Sequence, residues 1–449
     1  MEKLHPFNTE AHLHNLLEHR TRLAVVGLGY VGLPLAVAFS KTFDVVGFDI
    51  SSEKVNLYRK GVDPTDEVGS DAIARCSVDF TDNPSTLCDA SFIVVAVPTP
   101  IHSDKTPDLT LMKQASSMIG QYISPGTVVV FESTVYPGVT EDICCQLIED
   151  ASGLTCGKDF SIGYSPERVN PGDRVHTLET ITKIISAQSP AVLDLMEQVY
   201  GTIVCTGGGS LFRASSIRVA EAAKLLENAQ RDVNIAFMNE MALGLHCMGI
   251  DTMDVVQAMN TKWNALGFKP GLVGGHCIGV DPYYFVYETE SLGYHSSLIS
   301  AARRVNDDLP KHVAHEIVRE IIRSGFNPAE MKMYLLGMTF KGNCPDLRNT
   351  KAADVIRELE DYGLTVSISD AVAHPQDVER EFKQSPVSLK DIHDADCLIF
   401  TADHDAYRTL TPIGLSKMLN PHGCRLIADV RNLFDKSEVV AQGCRYWNL

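Results

Sequence analysis

The chain has 449 residues, which is too long for a single hydrophobic core and predicts two or three domains. Its net charge of −18 repels phosphate backbones, so no nucleic-acid partner is expected. The apolar runs are of strand length, the first twenty residues lack the apolar core of a signal peptide, and the twelve cysteines form no C-x-x-C pair. These features predict a cytoplasmic protein with neither a membrane segment nor a metal site.

The chain begins with an extension at residues 1–20, for which one helix is predicted at Ala11–Glu18. A buried strand then leads into the turn Gly27-Leu28-Gly29-Tyr30-Val31-Gly32, a helix pattern follows, and the next strand (Val45–Phe48) ends at Asp49. Glycines at this spacing let a pyrophosphate approach the helix N-terminus, and an acid at that strand end binds a ribose. The pattern predicts NAD binding, because the carboxylate would repel the 2′-phosphate of NADP.

Buried strand patterns continue to about residue 211, so the NAD-binding domain is predicted at residues 21–211. The further strands of its parallel sheet are predicted at Phe92–Val97, Thr127–Phe131, Ile162–Tyr164, Ile184–Ser186 and Ile203–Cys205. Polar residues that follow parallel strands face the ligand crevice, which makes Thr99, Ser133 and Thr134 candidates for contacts with the cofactor or water. For Ser133, a role in a turn or a helix cap is an equal alternative.

One long helix without proline is predicted from Ser216 to about Met248, in a mostly helical region at residues 212–325 that includes Met253–Met259 and Ser296–Asp307. Polar residues recur along one face of the long helix at spacings of three or four: Glu221, Lys224, Asn228 and Arg231. This row is either a solvated face or a set of side-chain pairs along the helix. Because alanine and leucine flank it, it could also line a cleft with a buried lysine. A long helix between two α/β units is also a natural dimer surface.

One loop of the helical region has the residue types of a covalent catalyst. Cys277 follows two glycines and His276, and Asp281 follows four residues later. Open amides and an imidazole hold a thiol partly as the nucleophilic thiolate, and a nearby carboxylate orients a water or a base. The alternative is a glycine turn around a small buried cysteine, the usual fate of a free thiol.

A last α/β unit is predicted at residues 326–449, with strands at Lys332–Gly337, Thr365–Ser369, Cys397–Thr401 and Arg425–Ala428 and a helix at Thr350–Asp361. It repeats the order of the first domain without the glycine turn, so it is expected to bind a different nucleotide. Lys341, Arg348 and Arg431 either meet its phosphates or are solvated charges. The predicted fold class is α/β, with two Rossmann-like parallel-sheet domains joined by a central all-helical domain with a long helix.

Taken together, the chain resembles the UDP-glucose/GDP-mannose dehydrogenase family over about residues 21–440. The resemblance rests on ordered motifs at Gly27–Pro34, Val97–Pro100, Glu132–Gly138, Ser165–Arg168, Ala220–Lys224, Gly271–Tyr284 and Thr339–Arg348. The segments Thr261–Asn264 and Ile278–Tyr284 are most similar to the bacterial branch that oxidises UDP-N-acetylhexosamines (UDP-GalNAc or UDP-GlcNAc) for capsules and O-antigens.

The resemblance implies an NAD-dependent, four-electron oxidation at C6 in which Cys277 holds the sugar as a thiohemiacetal and then as a thioester. Lys224 and Asn228 are implied to stabilise negative charge on O6. Asp281 is implied to position the hydrolytic water or to tune Lys224. Glu167 is implied to act as acid and base, and Thr134 to hold water.

The resemblance also implies two sets of binding residues. Contacts with NAD are implied at Gly27, Gly29, Tyr30, Val31, Gly32, Asp49, Lys54, Pro98, Thr99, Ser133, Thr134 and Arg348. Contacts with the UDP-sugar are implied at Glu167, Arg168, Lys224, Asn228, Gly271, Gly274, Gly275, His276, Lys341 and Arg431. A homodimer or higher homo-oligomer is expected.

Some positions depart from UDP-glucose dehydrogenases. His276 and Val280 replace their usual serine and lysine, Pro171 stands in place of a second carboxylate, and Ala428–Asn432 lacks the glycine of their Asp-Gly-Arg-Asn motif. Glucose is therefore disfavoured as the sugar, although a UDP-glucose-specific enzyme is one alternative. The others are a two-electron hydroxy-acid or 6-phosphogluconate-like dehydrogenase, which needs no thiol, and a non-catalytic regulator that binds NAD or a UDP-sugar.

Overall fold

The computed structural model describes residues 8–65, 67–168 and 175–449, so residues 1–7 of the extension and Pro171 lie outside the described residues. The chain divides into two compact units. The first unit contains the residues up to Glu227 together with Tyr283–Gly293. The second unit contains Asn228–Pro282 and Tyr294–Leu449.

All twelve cysteines are free thiols. Within the described ranges, none of the helices combines the length and the apolar character that a bilayer crossing requires. In the same part of the chain, the His, Cys, Asp and Glu side chains form no group of three that is arranged to hold a metal ion.

The first unit is built around an eight-stranded sheet. Its strands are β1 (Arg22–Val26), β2 (Val45–Phe48), β3 (Asp79–Thr81), β4 (Ala90–Val95), β5 (Val128–Phe131), β6 (Ser161–Tyr164), β7 (Thr182–Ala187) and β8 (Ser210–Arg213). Its helices are α1 (Thr9–Leu17), α2 (Gly32–Phe39), α3 (Ser52–Arg59), α4 (Ser70–Arg75), α5 (Thr110–Tyr122), α6 (Cys145–Ser152) and α7 (Pro190–Val204). The residues of β2 and β5 are buried throughout, as in strands covered on both faces by helices.

The strand order of this sheet is β3-β2-β1-β4-β5-β6-β7-β8, and the first six of these strands are mutually parallel. The order 3-2-1-4-5-6 belongs to dinucleotide-binding sheets, whose crevice lies outside the carboxyl ends of β1 and β4, where the order reverses. β7 runs antiparallel to β6, and β8 is parallel to β7. The sheet is therefore predominantly parallel, as predicted, with one antiparallel pairing between β6 and β7.

The strand predicted at Ile203–Cys205 is wrong, because the end of α7 occupies that segment and β8 is the strand that follows. A short buried apolar run has the same sequence pattern at a helix end as in a strand. The helix does have start signals in the sequence: Ser189 caps its N-terminus and Pro190 is its first residue.

Helix α1 starts two residues before the predicted Ala11 and packs on the first unit. The Thr9 hydroxyl donates to the Ala191 carbonyl oxygen at 2.8 Å. Leu16 is fully buried in the core of that unit. The described part of the extension is thus an ordered helix that covers apolar surface.

The middle of the chain contains α8 (Ile217–Met248), α9 (Thr252–Asn260), α10 (Asp281–Ser291) and α11 (Ser297–Arg323). Helix α8 matches the prediction to within one residue. Helix α11 extends beyond the predicted end at Asp307 because it continues through the buried Pro310. Leu309, Val313 and Ile317 pack in the core around this point, and that packing outweighs the hydrogen bond that proline removes.

The second unit carries a five-stranded sheet of β9 (Met333–Leu336), β10 (Val366–Ser369), β11 (Cys397–Phe400), β12 (Leu426–Asp429) and β13 (Arg445–Asn448). Its helices are α12 (Lys351–Asp361), α13 (Pro375–Phe382), α14 (Asp405–Arg408), α15 (Pro412–Met418) and α16 (Lys436–Ala441). All neighbouring strands are parallel in the order β10-β9-β11-β12-β13. A ligand crevice is expected outside the carboxyl ends of β9 and β11, where the order reverses. Two Rossmann-like sheets and a helical region with one long helix confirm the predicted fold class.

Candidate active site

The glycine turn between β1 and α2 has the shape that a pyrophosphate requires. Gly27 has a φ of +92°, and a Cβ on it would lie 2.8 Å from the carbonyl oxygen of Ala96. A Cβ on Gly32 would overlap the carbonyl oxygen of Gly27. A Cβ on Gly29 would meet no atom within 4 Å, so the turn faces open space there. The residues present therefore fit NAD, whose pyrophosphate must approach the backbone closely.

Asp49 lies at the end of β2 and faces this turn. Its carboxylate accepts hydrogen bonds from the N–H groups of Leu28 and Ser51, each at 2.9 Å. Carboxylate oxygens have two lone pairs each, so Asp49 retains acceptor capacity for a ribose hydroxyl. The other predicted cofactor contacts in this part of the chain are half-buried: Tyr30, Val31 and Lys54.

The loops that follow β4 and β5 are tied together by Ser133. Its hydroxyl donates to the Val97 carbonyl oxygen at 2.7 Å, a bond between two loops that is neither a local turn nor a helix cap. The neighbouring Thr99 and Thr134 are half-buried, and Pro98 is exposed. Contacts of these four residues with cofactor or water stay predictions.

Glu221 of α8 fixes the chain just after Thr134. Its carboxylate accepts from the N–H groups of Gly138 at 2.7 Å and Thr140 at 3.1 Å, and its side chain is fully buried. Burial raises the pKa of Glu221 to about 7. The sequence placed Glu221 on the polar face of the long helix but did not predict this role, because its partner is 83 residues away.

Lys224 and Glu167, both predicted to be catalytic, are in contact. The Lys224 ammonium donates to the Glu167 carbonyl oxygen at 2.6 Å, and both residues are buried. Arg168 forms an ion pair with Glu227, which lies one helical turn after Lys224 on α8. Two successive turns of α8 therefore hold the segment that follows β6.

A buried ion network that the sequence did not predict lies beside Glu167. The Lys183 ammonium donates to the carboxylates of Glu132 at 2.7 Å and Glu167 at 3.2 Å. The Tyr200 hydroxyl donates to the other oxygen of Glu132 at 2.6 Å. Burial raises the pKa of Glu132 to about 7, against the opposing effect of the adjacent ammonium. Burial opposes the charge on Lys183, but the two carboxylates raise its pKa overall, so Lys183 is a cation next to Glu167.

In the second unit, the structure brings together Cys277, Asp281 and Asn228. The Asp281 N–H donates to the Cys277 carbonyl oxygen at 2.8 Å, and the Asn228 amide donates to the Asp281 carboxylate at 2.5 Å. Arg231 donates to the Asn228 side-chain oxygen at 3.2 Å. Asn228 and Asp281 are buried, whereas Cys277 is half-buried. The polar face of α8 is therefore hydrogen-bonded to the segment that carries the thiol.

Asn239 of α8 anchors the beginning of the thiol loop, which we define as Gly271–Val280. Its side-chain oxygen accepts from the Gly271 N–H at 2.7 Å, and its amide donates to the Gly271 carbonyl oxygen at 3.1 Å. The same amide donates to Asn306, which in turn donates to Asp232. These residues are buried. Asp232 and Asn239 lie two turns apart in an apolar stretch of α8, and this spacing is the signal that sequence reasoning missed.

The middle of the thiol loop lies against the chain that follows β9. A Cβ on Gly274 would lie 2.8 Å from the Asn349 carbonyl oxygen, and a Cβ on Gly275 would lie 2.8 Å from the Phe340 ring. The His276 ring meets Phe340 edge-on, with centroids 6.0 Å apart, and its Nδ1 lies 3.8 Å from an oxygen of Asp346. These glycines thus have a packing reason, and their contacts with substrate stay predictions.

The chain after β9 is shaped by two buried side chains of the second sheet. Asp370 accepts from the Met338 N–H at 2.6 Å, and His404 accepts from the Asn343 N–H at 2.9 Å. Both side chains are fixed at the reversal of strand order, where a ligand is expected. The sequence predicted a strand ending at Asp370 but gave His404 no role.

The three cations predicted to meet phosphates differ in their surroundings. Arg348 is exposed and donates to the Asp346 carboxylate at 2.5 Å, while Lys341 is half-buried. Arg431 follows β12 and is half-buried, and its Nη1 lies 2.5 Å from the position of a Cβ on Gly271. A side chain at position 271 would require this guanidinium to shift. Phosphate binding by the three cations stays a prediction.

Three sequence models of one family match the chain in order. They are the NAD binding domain of the UDP-glucose/GDP-mannose dehydrogenase family at residues 21–204, its central domain at 218–308 and its UDP binding domain at 334–436. NAD is the cofactor that the first of these domains binds, in agreement with the glycine turn and Asp49.

Similar proteins extend over nearly the whole chain. It is 44% identical to Protein CapL of Staphylococcus aureus, covering 95% of this chain and 99% of that protein. It is 42% identical to UDP-N-acetyl-D-glucosamine 6-dehydrogenase of Pseudomonas aeruginosa, covering 93% and 98%. Among solved structures, UDP-D-ManNAc dehydrogenase of Pyrococcus horikoshii superimposes with a TM-score of 0.85 at 30% identity, covering 95% and 98%.

Proposed function

Because the chain belongs to the UDP-glucose/GDP-mannose dehydrogenase family, we propose that it oxidises the C6 alcohol of a UDP-N-acetylhexosamine to the carboxylate. The chain is an NAD-dependent UDP-sugar dehydrogenase. The observation that carries the finer proposal is the hydrogen-bonded series that links Cys277 of the thiol loop to Asp281 and Asn228. The name of the Pseudomonas aeruginosa relative makes UDP-GlcNAc the first substrate to test, with UDP-GalNAc beside it.

The proposed NAD site is formed by the glycine turn, Asp49 and the loops that follow β4 and β5. The open space at Gly29 and the overlap at Gly32 support a pyrophosphate at this turn. When bound, NAD would supply the hydride acceptor, with one NAD molecule consumed in each of the two oxidations. The UDP-sugar is proposed to lie at the crevice of the second sheet, with Arg431 and the chain after β9 nearest to it.

In the first oxidation, C6 loses a hydride and O6 loses a proton, so the alcohol becomes an aldehyde. Lys224 and Asn228 are proposed to stabilise the negative charge that develops on O6. Their support is their burial, since a cation or an amide dipole acts more strongly where water is excluded. Glu167, next to the cationic Lys183, is proposed to accept and return protons, and Thr134 to hold a water.

Cys277 then adds to the aldehyde: an S–C6 bond forms and the thiol proton goes to O6, giving a thiohemiacetal. In the second oxidation, C6 loses its remaining hydride and O6 its proton, leaving a thioester. Water breaks the C–S bond and yields the carboxylate and the free thiol. Asp281 is proposed to position this water, because its backbone is bonded to Cys277 and its carboxylate is held by Asn228.

The direct test is to mix the protein with NAD and either sugar nucleotide and to count NADH per acid formed. We expect two NADH per acid with UDP-GlcNAc or UDP-GalNAc and little product with UDP-glucose. One NADH per product, with aldehyde released, would contradict the thioester scheme. It would favour the two-electron alternative, which needs no thiol.

The domains are proposed at residues 21–211 for NAD binding, 212–325 for the central helices and 326–449 for UDP binding.

We further propose that the protein is a cytoplasmic homo-oligomer and that its product serves surface-polysaccharide synthesis. An apolar stripe on α8 supports self-association. Val219, Leu226 and Phe237 are spaced by seven and eleven residues, which places them on one face, and they are 47%, 42% and 61% exposed.

A further inference from the structure

The segment just before Cys277 is held by a single residue of the chain that follows β9. The Asn349 amide donates to the Gly275 carbonyl oxygen at 2.7 Å, and the Gly275 N–H donates to the Asn349 carbonyl oxygen at 3.2 Å. The side chain and main chain of Asn349 therefore bind both main-chain polar groups of Gly275 in the thiol loop. Asn349 has a φ of +50°, a left-handed conformation that asparagine tolerates better than most residues.

The same amide is also near the segment after Cys277. A Cβ on Gly279 would lie 3.6 Å from the Asn349 amide nitrogen. Gly275 and Gly279 are each two residues from Cys277, so Asn349 lies beside the turn that presents the thiol. Beyond the turn, the N–H groups of Val280 and Asp281 donate to the Cys277 carbonyl oxygen at 3.0 and 2.8 Å.

The loop needs such a restraint because of its glycines. Gly274 and Gly275 allow it to lie against Asn349 and Phe340, where a side chain would collide. Glycine also gives a chain more conformational freedom than any other residue, and a loose loop presents its thiol in many directions. The Asn349 bond removes part of this freedom two residues before the sulfur.

We propose that Asn349 is a positioning residue that orients the Cys277 thiol for addition to the aldehyde carbon. This inference rests on the proposed function. The first oxidation needs no sulfur, so it does not depend on the hydrogen bonds between Asn349 and Gly275. The aldehyde then has two fates. Either the Cys277 S–C6 bond forms while the thiol proton moves to O6, or the aldehyde leaves and is hydrated by water.

The first experiment measures how the aldehyde divides between these fates. Asn349→Gly removes the side-chain bond but keeps the left-handed backbone and its carbonyl acceptor, and Asn349→Asp keeps the shape but cannot donate to Gly275. With NAD and the sugar nucleotide, we expect the ratio of hydrazine-trapped aldehyde to acid to rise about fivefold in both variants, the factor for one net hydrogen bond. A wild-type ratio in both variants would overturn the proposal.

The matched control is Lys383→Gly, at another exposed residue with a left-handed φ, +56°, at the end of α13. This substitution also places glycine at a left-handed position, but at one that is far from the thiol loop in the sequence. We expect the wild-type ratio of aldehyde to acid. A rise in this ratio equal to that of Asn349→Gly would show a general loss of rigidity. It would count against a specific role of Asn349 in positioning Cys277.

A second readout uses the protein without ligands. Iodoacetamide is added, and alkylation of the peptide that contains Cys277 is followed by mass spectrometry. We expect faster alkylation of Cys277 in Asn349→Gly than in wild type and Lys383→Gly, because the released loop exposes the sulfur more often. Equal rates would contradict the inference.

The two readouts separate this inference from the proposed function. If the wild-type protein forms no acid, the proposed function fails, and the alkylation rates still decide whether Asn349 restrains the loop. If the wild-type protein forms two NADH per acid and the Asn349 variants match it in both measurements, only the positioning role is wrong.

Discussion

Asp281 connects the thiol loop to the long helix through atoms of one residue. Its N–H is bonded to the carbonyl oxygen of Cys277 and its carboxylate to the amide of Asn228. The residue is buried, so a water held there is shielded from exchange with solvent. These contacts suit the proposed step in which water attacks the thioester.

Asp281→Asn is therefore expected to slow hydrolysis, by about 100-fold for the loss of a positioned acid–base group. Stopped-flow measurement should show a rapid burst of two NADH per active site and then a slow steady rate, because the thioester accumulates. The exposed substitution Asp254→Asn serves as the control and should show wild-type kinetics. If Asp281→Asn gave a slow rate without a burst, the defect would lie before the thioester, contrary to the assigned role.

Between elements, polar networks fix the loops that carry the candidate site. Lys183 of β7 and Tyr200 of α7 meet Glu132 after β5, and Lys183 also meets Glu167 after β6. Asn239 of α8 binds both main-chain polar groups of Gly271. Buried networks of this kind specify one arrangement of loops because leaving any member unpaired costs free energy.

Glu132 gives the first unit a defined pH dependence. Burial raises its pKa from 4.5 to about 7, with Lys183, Glu167 and Tyr200 facing it, so the folded state binds the proton more strongly than the unfolded state. Its contribution to stability is full below about pH 4.5, falls as the pH rises to about 7 and is constant above that. Urea unfolding from pH 4.5 to 8 should show a smaller fall in Glu132→Gln than in wild type. An identical fall in both would contradict the raised pKa.

Asn239→Leu should destabilise the second unit by about 3 kcal/mol, because the N–H and carbonyl groups of Gly271 lose their buried partner. Chemical unfolding measures the change. The exposed substitution Asn260→Leu is the control and should change stability by no more than about 0.5 kcal/mol. Equal stability of Asn239→Leu and wild type would show that the thiol loop does not depend on this anchor.

The elements were more predictable than their contacts. Strands such as β2 follow directly from buried apolar runs, and α8 from its long proline-free pattern. A strand was wrongly predicted at the end of α7, and α11 was predicted to end too early. In both places packing, rather than the local sequence pattern, decides the structure. At the site, Cys277, Asp281 and Asn228 were identified by residue type and motif. Lys183 and Asn349 were missed because each acts on residues far away in the sequence, and no local spacing encodes such a pairing. Asn239 did have a local signal, its spacing of two turns from Asp232.

For the whole molecule, one chain combines an NAD-binding domain, a helical region with the thiol, and a UDP-binding domain. Helix α8 contributes residues to both compact units, with Lys224 in the first and Asn228, one turn later, in the second. Its apolar stripe of Val219, Leu226 and Phe237 is exposed in the single chain. Burial of this stripe in a homo-oligomer would remove apolar surface from water.

Phe237→Asp should therefore weaken self-association, since a charge in an apolar interface loses its hydration. Light scattering during size-exclusion chromatography should show a dimer or larger species for wild type and a smaller mass for the variant. Ile322→Asp, at an exposed position of α11, is the control and should keep the wild-type mass. A monomeric wild-type protein, or an unchanged mass for Phe237→Asp, would show that this stripe is not the interface.

The most direct test of the covalent scheme is the rate at which Cys277→Ala forms the acid from the sugar nucleotide and NAD. The scheme predicts no acid above background, and at most one NADH for each aldehyde that the protein releases, because no sulfur is present to hold C6 for the second oxidation. Acid formation by Cys277→Ala at the wild-type rate, with two NADH per acid, would contradict it.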